Sequence, residues 1–350
     1  MTGSNKMIAE KAFIFECSKS SLEEWCIKRK FPKFRSDQIF RHIHERLAIL
    51  PDDMNNLPKE LKAALEEDFY FPSSRIDKVT GSPDEVEKLR LELFDREFIE
   101  VAVIPMGEKR TLCLSTQVGC PVGCKFCASG ANGLTRNLKC AEIIEEFLYG
   151  CSRIGRKCDN IVFMGIGEGL LNTTELFAAL EKLTGDFGMS PRRITVSTSG
   201  YIPGMEKFAA LKKEYNLAIS LHAPDDITRA KLIPDKLRYS VKDIIDAADA
   251  WSKASGRQYT LEYTLVSGIN DSVAHAQALG ELAWKHHAKI NLIPYNETTG
   301  IFRRPALRDI ELFEKTVAGT GARVTRRVEK GKGAAAACGQ LRAEKINKED

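Results

Sequence analysis

Residues 110 to 138 read Arg-Thr-Leu-Cys113-Leu-Ser-Thr-Gln-Val-Gly-Cys120-Pro-Val-Gly-Cys124-Lys-Phe-Cys127-Ala-Ser-Gly-Ala-Asn-Gly-Leu-Thr-Arg-Asn-Leu, and the rest of the chain is organised around this stretch. Cys120, Cys124 and Cys127 have C-x3-C-x2-C spacing. The glycines and the proline between them allow the loop to turn its sulfurs toward one point. A cubane iron–sulfur cluster on three thiolates leaves one iron without a protein ligand, able to bind a small molecule. The spacing therefore predicts a cluster that takes part in chemistry.

Two other uses of these cysteines are weaker. A structural zinc site takes four ligands, commonly as two Cys or Cys/His pairs, and no second pair of that kind occurs nearby. A disulfide framework is disfavoured because the chain shows no secretory signal and, at 350 residues, can bury a core unaided. Zinc remains the alternative to a cluster.

The composition is that of an ordinary globular protein, with 43% hydrophobic and 29% charged residues. No apolar run approaches a membrane span, so we expect a cytoplasmic protein without a membrane partner. A net charge of +4 is compatible with nucleic acid, and basic residues crowd two segments. The alternative is a solvated charged face. These residues are Lys28, Arg29, Lys30, Lys33, Arg35 and Arg41, then Arg323, Arg326, Arg327, Lys330 and Lys332.

Periodicity divides the chain into four parts. Residues 1–75 read as a helical accessory domain, with Ser20, Ser21 and Ser36 as candidate helix caps. Residues 76–105 alternate apolar and polar positions, which predicts an antiparallel ribbon. A core follows over 106–300, and 301–350 form a C-terminal segment that carries Cys338 in a Gly/Ala-rich loop.

The core shows six strand–helix alternations. This pattern predicts a parallel sheet with helices outside, either an open barrel or a doubly wound sheet. Ligands collect at the C-terminal edge of such strands, where the cysteine loop also falls. The predicted strands cover residues 111–115, 160–164, 193–197, 217–221, 260–265 and 289–293.

Several ordered motifs resemble the RlmN/Cfr family of radical S-adenosylmethionine (SAM) RNA adenine methyltransferases. The resemblance covers nearly the whole chain and implies an α/β fold, a partial (β/α)6 radical SAM barrel with an N-terminal helical accessory domain. Besides the cysteine loop, the motifs are Asp37-Gln-Ile-Phe40, Asn56-Leu-Pro58, Arg136-Asn-Leu138, Gly165-Ile-Gly-Glu168, Ser197-Thr-Ser-Gly200, Ser220-Leu-His-Ala-Pro224, Gly268-Ile-Asn-Asp-Ser272, Asn291-Leu-Ile-Pro-Tyr-Asn296 and Ala337-Cys-Gly-Gln-Leu341.

The resemblance implies two cofactors, a [4Fe-4S] cluster and SAM. Cys120, Cys124 and Cys127 match the cluster ligands, and the open iron chelates SAM, which an injected electron cleaves to a 5′-deoxyadenosyl radical. The electron comes from a low-potential donor such as flavodoxin. Positions that match the family's SAM contacts are Gly167, Glu168, Ser197, Ser220, Leu221, His222 and Asn296.

The family's chemistry also assigns catalytic roles to three residues. Cys338 matches the cysteine that takes a methyl group from one SAM, loses a hydrogen atom to the radical from a second, and adds to adenine. Cys113 matches the cysteine that attacks Cys338, which releases the methylated RNA and leaves a disulfide for reductants to reopen. Glu100 matches the base that removes the ring proton.

The resemblance favours methylation of adenine C2, in 23S ribosomal RNA and also in tRNA, by a monomer. The branch that methylates C8 of 23S ribosomal RNA tends toward isoleucine and arginine where this chain has Ser199 and Pro294. C8 methylation is the nearest alternative. A radical SAM maturase acting on a protein or small molecule, and a zinc-stabilised RNA-binding module, are further ones.

Two positions depart from the family pattern. Gly169 stands where proline or alanine usually follows the Gly-Glu pair, and glycine can adopt the backbone geometry of either. Residues 332–335, Lys-Gly-Ala-Ala, replace an acidic Asp-Asp-Ile-Asp run just before Cys338. We expect this second departure to affect the rate or the choice of substrate.

Overall fold

A computed structural model describes residues 11–82, 84–298, 300–327 and 341. The first part is helical, with α1 at Lys19–Lys28, α2 at Phe34–His44 and α3 at Lys59–Asp68. Short strands at Ala12–Phe13 (β1) and Phe69–Tyr70 (β2) pair in parallel and bring its two ends together.

The caps of these helices differ from the prediction. Ser18, not Ser20 or Ser21, caps α1, because its side chain accepts from the Ser21 N–H at 3.1 Å. Helix α2 begins two residues before Ser36, whose hydroxyl donates to the Lys33 carbonyl at 2.7 Å. Both helices therefore begin earlier in the sequence than the predicted caps suggest.

A ten-stranded sheet begins with the predicted ribbon. Strands β3 (Arg75–Thr80), β4 (Glu87–Glu92) and β5 (Phe98–Met106) pair antiparallel, and β5 continues onto β6 (Lys109–Cys113). The ribbon is therefore an extension of the central sheet, not a separate layer.

A small hairpin flanks the cysteine loop. Its strands are β7 (Gln117–Gly119) and β8 (Leu134–Asn137), which pair antiparallel. The Cys120 N–H donates to the Gly133 carbonyl at 2.9 Å, which closes the loop at its base.

The remaining strands are parallel and extend the sheet in the order β14-β13-β12-β11-β10-β9-β6-β5-β4-β3. Six of them, β6 and β9 to β13, match the six predicted strands. The first ends at Cys113 instead of residue 115, because the Ser115 N–H donates to the buried Glu146 carboxylate at 2.7 Å. These strands are β9 (Asn160–Phe163), β10 (Ile194–Thr198), β11 (Asn216–Ser220), β12 (Thr260–Leu265), β13 (Lys289–Pro294) and β14 (Arg323–Arg326).

Helices connect the parallel strands, as expected for β–α–β units. Helix α4 is amphipathic and ends at Gly155, whose φ of 74° is the left-handed C-cap conformation. The helices are α4 (Cys140–Ile154), α5 (Thr173–Gly185), α6 (Ile202–Ala210), α7 (Asp226–Leu232), α8 (Val241–Ser255), α9 (Val273–Lys285) and α10 (Leu307–Gly319).

One apolar core runs from the N-terminal helices into the barrel. Polar contacts reinforce the junction: Glu16 caps α4 by accepting from the Ala141 N–H at 3.0 Å. Glu145 accepts from the N–H and hydroxyl groups of both Ser73 and Ser74. The division into four parts at residues 75, 105 and 300 stays a prediction.

The predicted fold class is confirmed. The chain is α/β, with a (β/α)6 unit of parallel strands and an N-terminal helical region. Among the helices of the described residues, none combines the length and the apolar character needed to cross a bilayer.

Candidate active site

The C-terminal ends of the parallel strands surround a single cavity. Its lining includes Cys113 at the end of β6 and Ile293 of β13, five strands away in the sheet. The sheet must therefore curve around this space, as a partial barrel does. The predicted site residues among its lining are Cys113, Cys120, Cys124, Cys127, Gly167, Glu168, Ser197, Ser220, His222 and Asn296.

The cysteine loop is held by packing and by main-chain bonds. Val122 and Phe126 pack with Leu232 and Ile233 at the end of α7. The Lys125 N–H donates to the Leu232 carbonyl at 3.0 Å, and the Thr298 hydroxyl donates to the Phe126 carbonyl at 2.8 Å. Gly123 has φ 67°, which is favourable only for glycine at such a turn.

The three cysteines of this loop are suited to a cluster. All three line the cavity, and the N–H groups of Val122 and Gly123 point at the Cys120 sulfur and oppose the rise in its pKa that burial causes. In the part of the chain that the structure describes, no three His, Cys, Asp or Glu side chains converge closely enough to hold one metal ion. Three cysteines in one loop are the ligand set that a multi-iron cluster with one open iron takes.

Gly167 and Glu168 follow β9. Gly167 has φ 114° and lies against Thr116 and Gln117, so the close approach requires glycine. One Glu168 oxygen accepts from the Ser199 N–H at 2.6 Å, and burial raises the pKa of its carboxyl. Glu168 thus joins the ends of β9 and β10 while still lining the cavity.

His222 follows β11 with φ 61° and is buried. Its Nδ1 accepts from the Thr264 N–H at 3.0 Å, and its ring meets Phe126 edge-on at 4.8 Å. Burial, with the nearby Arg229 charge, lowers the pKa of His222 to about 3, so the ring is neutral at physiological pH. Its neighbour Leu221 belongs to the apolar core and does not line the cavity.

Asn296 carries a buried polar atom that a bound molecule could satisfy. Its Oδ1 is buried, lines the cavity region and has no hydrogen-bond partner among the described residues. Buried acceptors are normally satisfied, so an amino or hydroxyl group of a bound molecule fits this position. The lining residues are therefore compatible with SAM.

The predicted catalytic residues are only partly brought together. Cys113 is buried and lies in an apolar cluster with Ala102, Ile166 and Leu341. Glu100 lies on the same face of β5 as Ala102, which pairs with Cys113, but it does not line the cavity. Its carboxylate is 2.9 Å from the Lys88 ammonium group.

Cys338 lies outside the described residues. Leu341, three positions later in the sequence, is described and buried in the cavity, and its carbonyl accepts from the Ser129 hydroxyl at 2.6 Å. Ser129 directly follows the cysteine loop, so the C-terminal segment contacts that loop at Leu341.

Several basic residues of the N-terminal segment are paired with acidic side chains, so the segment presents less free positive charge than its composition suggests. Arg29 pairs with Glu67 and Asp68, Lys33 with Glu23 at 2.6 Å, and Arg41 with Glu45 at 3.7 Å. Lys28 and Lys30 are exposed, and Arg35 stacks on the exposed Phe34 ring at 4.9 Å. In the second segment, Arg326 pairs with Glu314, and Lys330 and Lys332 lie outside the described residues.

Sequence reasoning missed several cavity residues. The sequence marks Ser199 only as a position that distinguishes the C2 and C8 branches, whereas in the structure it lines the cavity and donates its N–H to Glu168. Glu262 of β12 is directly opposite Ser220 of β11 and lines the cavity with Thr264 and Arg327. The available signal is that Glu262 is the only charged residue in the predicted strand 260–265.

Two protein families match parts of this chain. Residues 114–278 match the radical SAM superfamily, and residues 14–70 match the ribosomal RNA large subunit methyltransferase N-terminal domain. A crystal structure of a radical SAM methyltransferase from Sphaerobacter thermophilus superposes with a TM-score of 0.90 at 36% identity, covering 95% of this chain and all of that one.

Similar sequences carry consistent names. The "Probable dual-specificity RNA methyltransferase RlmN" of Akkermansia muciniphila is 40% identical, over 89% of this chain and 90% of its own length. The "Ribosomal RNA large subunit methyltransferase N" of Nitrosopumilus maritimus is 37% identical, over 92% of this chain and 96% of its own length.

Fold, cavity and comparisons define a radical SAM methyltransferase, an enzyme that uses a [4Fe-4S] cluster and SAM. The chain belongs to the RlmN family. The predicted family, reaction class and cofactors are confirmed, while the roles of individual residues stay predictions.

Proposed function

We propose that this protein methylates C2 of an adenine in 23S ribosomal RNA, and also in tRNA. One observation carries the proposal: Cys113 lines the same cavity as Cys120, Cys124 and Cys127, and Leu341 lies in the same apolar cluster as Cys113. A methyl-transferring cysteine pair needs to work beside the site where SAM is cleaved. The choice of C2 rests on Ser199 and Pro294, positions at which the C8 branch differs.

Cys120, Cys124 and Cys127 would hold the cluster, and SAM would contact the strand ends at Glu168, Ser197, Ser220, His222 and Asn296. When bound, the cluster supplies the electron that cleaves SAM reductively. The His222 ring stays neutral, and an apolar wall surrounds Cys113. Gly167 and Leu221 would contribute through backbone geometry.

Cys338 would accept the methyl group and carry it to the RNA, and Cys113 would then attack its sulfur. This exchange breaks the bond between Cys338 and the RNA, releases the methylated adenine, and leaves a Cys113–Cys338 disulfide that a reductant must reopen. Glu100 would take the ring proton, with Lys88 at 2.9 Å positioning its carboxylate. Because Glu100 does not line the cavity, the target base would have to approach along β5.

The target adenine must be splayed from its stack to enter the cavity. We assign RNA backbone contacts to Lys28 and Lys30, which are exposed, and base or backbone contact to the Phe34–Arg35 pair. The enzyme would work in the cytoplasm as a monomer, reduced by a low-potential donor such as flavodoxin.

The decisive test is mass spectrometry of nucleosides from 23S ribosomal RNA and tRNA that the reconstituted enzyme has treated. The expected product is 2-methyladenosine. Finding 8-methyladenosine instead would show that the enzyme is a C8 methyltransferase. Cleavage of SAM without methylation of RNA would favour a maturase.

The cysteine roles have their own test. Cys338→Ala should abolish both methyl loading and product, and Cys113→Ala should accumulate a covalent protein–RNA adduct visible on a denaturing gel. Cys140→Ala is a matched control, because Cys140 is buried outside the cavity. Normal turnover by the Cys113 variant would remove its assigned role.

A further inference from the structure

Arg229 of helix α7 is completely buried, which is unusual for an arginine. Its guanidinium donates to three main-chain carbonyls: Nε to Leu221 at 3.1 Å, Nη1 to Tyr239 at 3.2 Å, and Nη2 to Ser199. Ser199 and Leu221 follow β10 and β11. Arg229 therefore ties together the ends of two strands that line the active-site cavity.

The positive charge of Arg229 is not balanced by an adjacent carboxylate. Among the described residues no Asp or Glu forms an ion pair with it, and the nearest acidic influences are Asp226 and Glu168. Burial lowers the pKa of Arg229 only to about 10, so the side chain remains a cation at neutral pH. Buried charges are ordinarily paired, which indicates an anionic group that binds nearby.

The cysteine loop is the neighbour that would provide this anion. Leu232, three residues after Arg229, accepts the Lys125 N–H at 3.0 Å, and Val122 and Phe126 pack on Leu232. Arg229 and Leu232 lie one turn apart on α7, so the buried guanidinium lies on the side of the helix region that packs against the cysteine loop. Ser199 links the guanidinium to Glu168 through its carbonyl and N–H groups.

We propose that Arg229 is a positioning residue that supplies the buried counter-charge to the cluster and thereby raises its reduction potential. The proposal rests on the proposed assignment of Cys120, Cys124 and Cys127 as cluster ligands. A fixed cation in a region of low dielectric favours the state with one more electron. Charge and hydrogen bonding near the sulfurs are among the factors that set cluster potentials.

The competing explanation is a purely structural clamp, in which only the three carbonyl contacts matter. Arg229→Lys keeps the charge but cannot form the planar fork to three carbonyls. Arg229→Met keeps much of the volume and removes both charge and donors. If Arg229 is only a clamp, the Lys and Met variants should change the reduction potential of the cluster to the same extent. If Arg229 is a counter-charge, only the Met variant should change that potential.

The experiment is a dithionite titration of the anaerobically reconstituted full-length protein, with mediators, followed by electron paramagnetic resonance. Iron and sulfide contents and the thermal midpoint of each apoprotein are measured in parallel. Arg192→Met is the control, because Arg192 is exposed, pairs with Glu214 at 2.6 Å, and precedes β10 at the end of that strand away from the cavity. Its removal should leave the cluster potential unchanged.

We expect the Lys variant to retain the wild-type midpoint potential and the Met variant to shift to a more negative one. Equal potentials in wild type, Lys and Met variants would overturn the proposal, as would an equal shift in the Lys and Met variants. If Arg229→Met does not load the cluster, Arg229→Gln takes its place with the same two outcomes. Failure of the wild-type protein to bind iron and sulfide would instead reject the cluster assignment.

Discussion

Gly167 and Gly169 flank the buried Glu168, but a side chain at these two positions would meet very different surroundings. A Cβ at Gly167 would lie 2.7 Å from Gln117 Cβ and from Thr116 Oγ1, on a backbone with φ 114°. A Cβ at Gly169 would meet Leu176 Cδ2 at 3.4 Å, an ordinary contact. Only Gly167 is therefore required by the fold.

We predict that Gly167→Ala destabilises the apoprotein by about 2 kcal/mol or more, through steric overlap and backbone strain. The matched control, Gly169→Ala, should be neutral or stabilising by up to ~1 kcal/mol, because alanine restricts the unfolded chain. Urea denaturation of both apoproteins measures the difference. Equal stability of the two variants would contradict the separation.

Glu262 is a second residue whose chemistry depends on its surroundings. Burial raises the pKa of its carboxyl from 4.5 to about 7, while Arg327 and the Asn291 amide, at 2.7 Å, partly offset this rise. The folded protein therefore holds a proton that the unfolded chain releases. Its contribution to stability is greatest below pH 4.5 and is lost as the pH rises through about 7.

We predict that Glu262→Gln stabilises the apoprotein at pH 8, by on the order of 2 kcal/mol relative to its effect at acidic pH. Glutamine removes the cost of a buried negative charge and keeps an acceptor for Asn291. Thermal midpoints at the two pH values measure the effect. Glu214→Gln is the control, because Arg192 lowers the pKa of that surface carboxyl and its replacement should not stabilise at pH 8.

At the scale of elements, hydrogen bonds to Asp68 at the end of α3 link this helix to α1. It accepts from Trp25 Nε1 at 2.7 Å and from Arg29 Nε at 2.6 Å. Its neighbour Glu67 forms an ion pair with Arg29, at 3.0 Å between Oε2 and Nη2, and the Glu67 side chain is largely exposed. The two acidic side chains therefore differ in what they hold together.

Asp68→Ala should destabilise the N-terminal helices by about 1–3 kcal/mol, because two donors lose their acceptor. Glu67→Ala removes only a surface ion pair and should cost less than ~1 kcal/mol. Hydrogen exchange of the α1 and α3 amides reports the local loss. If both variants exchange like wild type, the contacts of Asp68 are not holding α1.

At the scale of the whole molecule, the helical region and the barrel share one apolar core. Three sets of contacts join them: the His44 ring lies 4.6 Å from the Phe187 ring, Glu16 caps α4, and Glu145 accepts hydrogen bonds from Ser73 and Ser74. Separating these parts would expose apolar surface and leave buried donors unsatisfied.

We therefore predict that the α1–α2 amides and the β10–β11 amides lose protection from hydrogen exchange at the same denaturant concentration. Glu145→Ala, which removes one junction, should make the N-terminal helices exchange first. Earlier exchange of these helices in the wild-type protein would show that they unfold as an independent domain.

Spacing, periodicity and ordered motifs are local properties of the chain, so the candidate cluster loop, the six strand–helix alternations and the family could all be predicted from sequence alone. Tertiary structure decided which side chains meet. Lys88 lies beside Glu100, Glu262 opposite Ser220, and Arg229 beneath the carbonyls of Ser199 and Leu221. Their partners are distant in sequence, and burial, which sets their charge and pKa, exists only once the sheet has curved around the cavity.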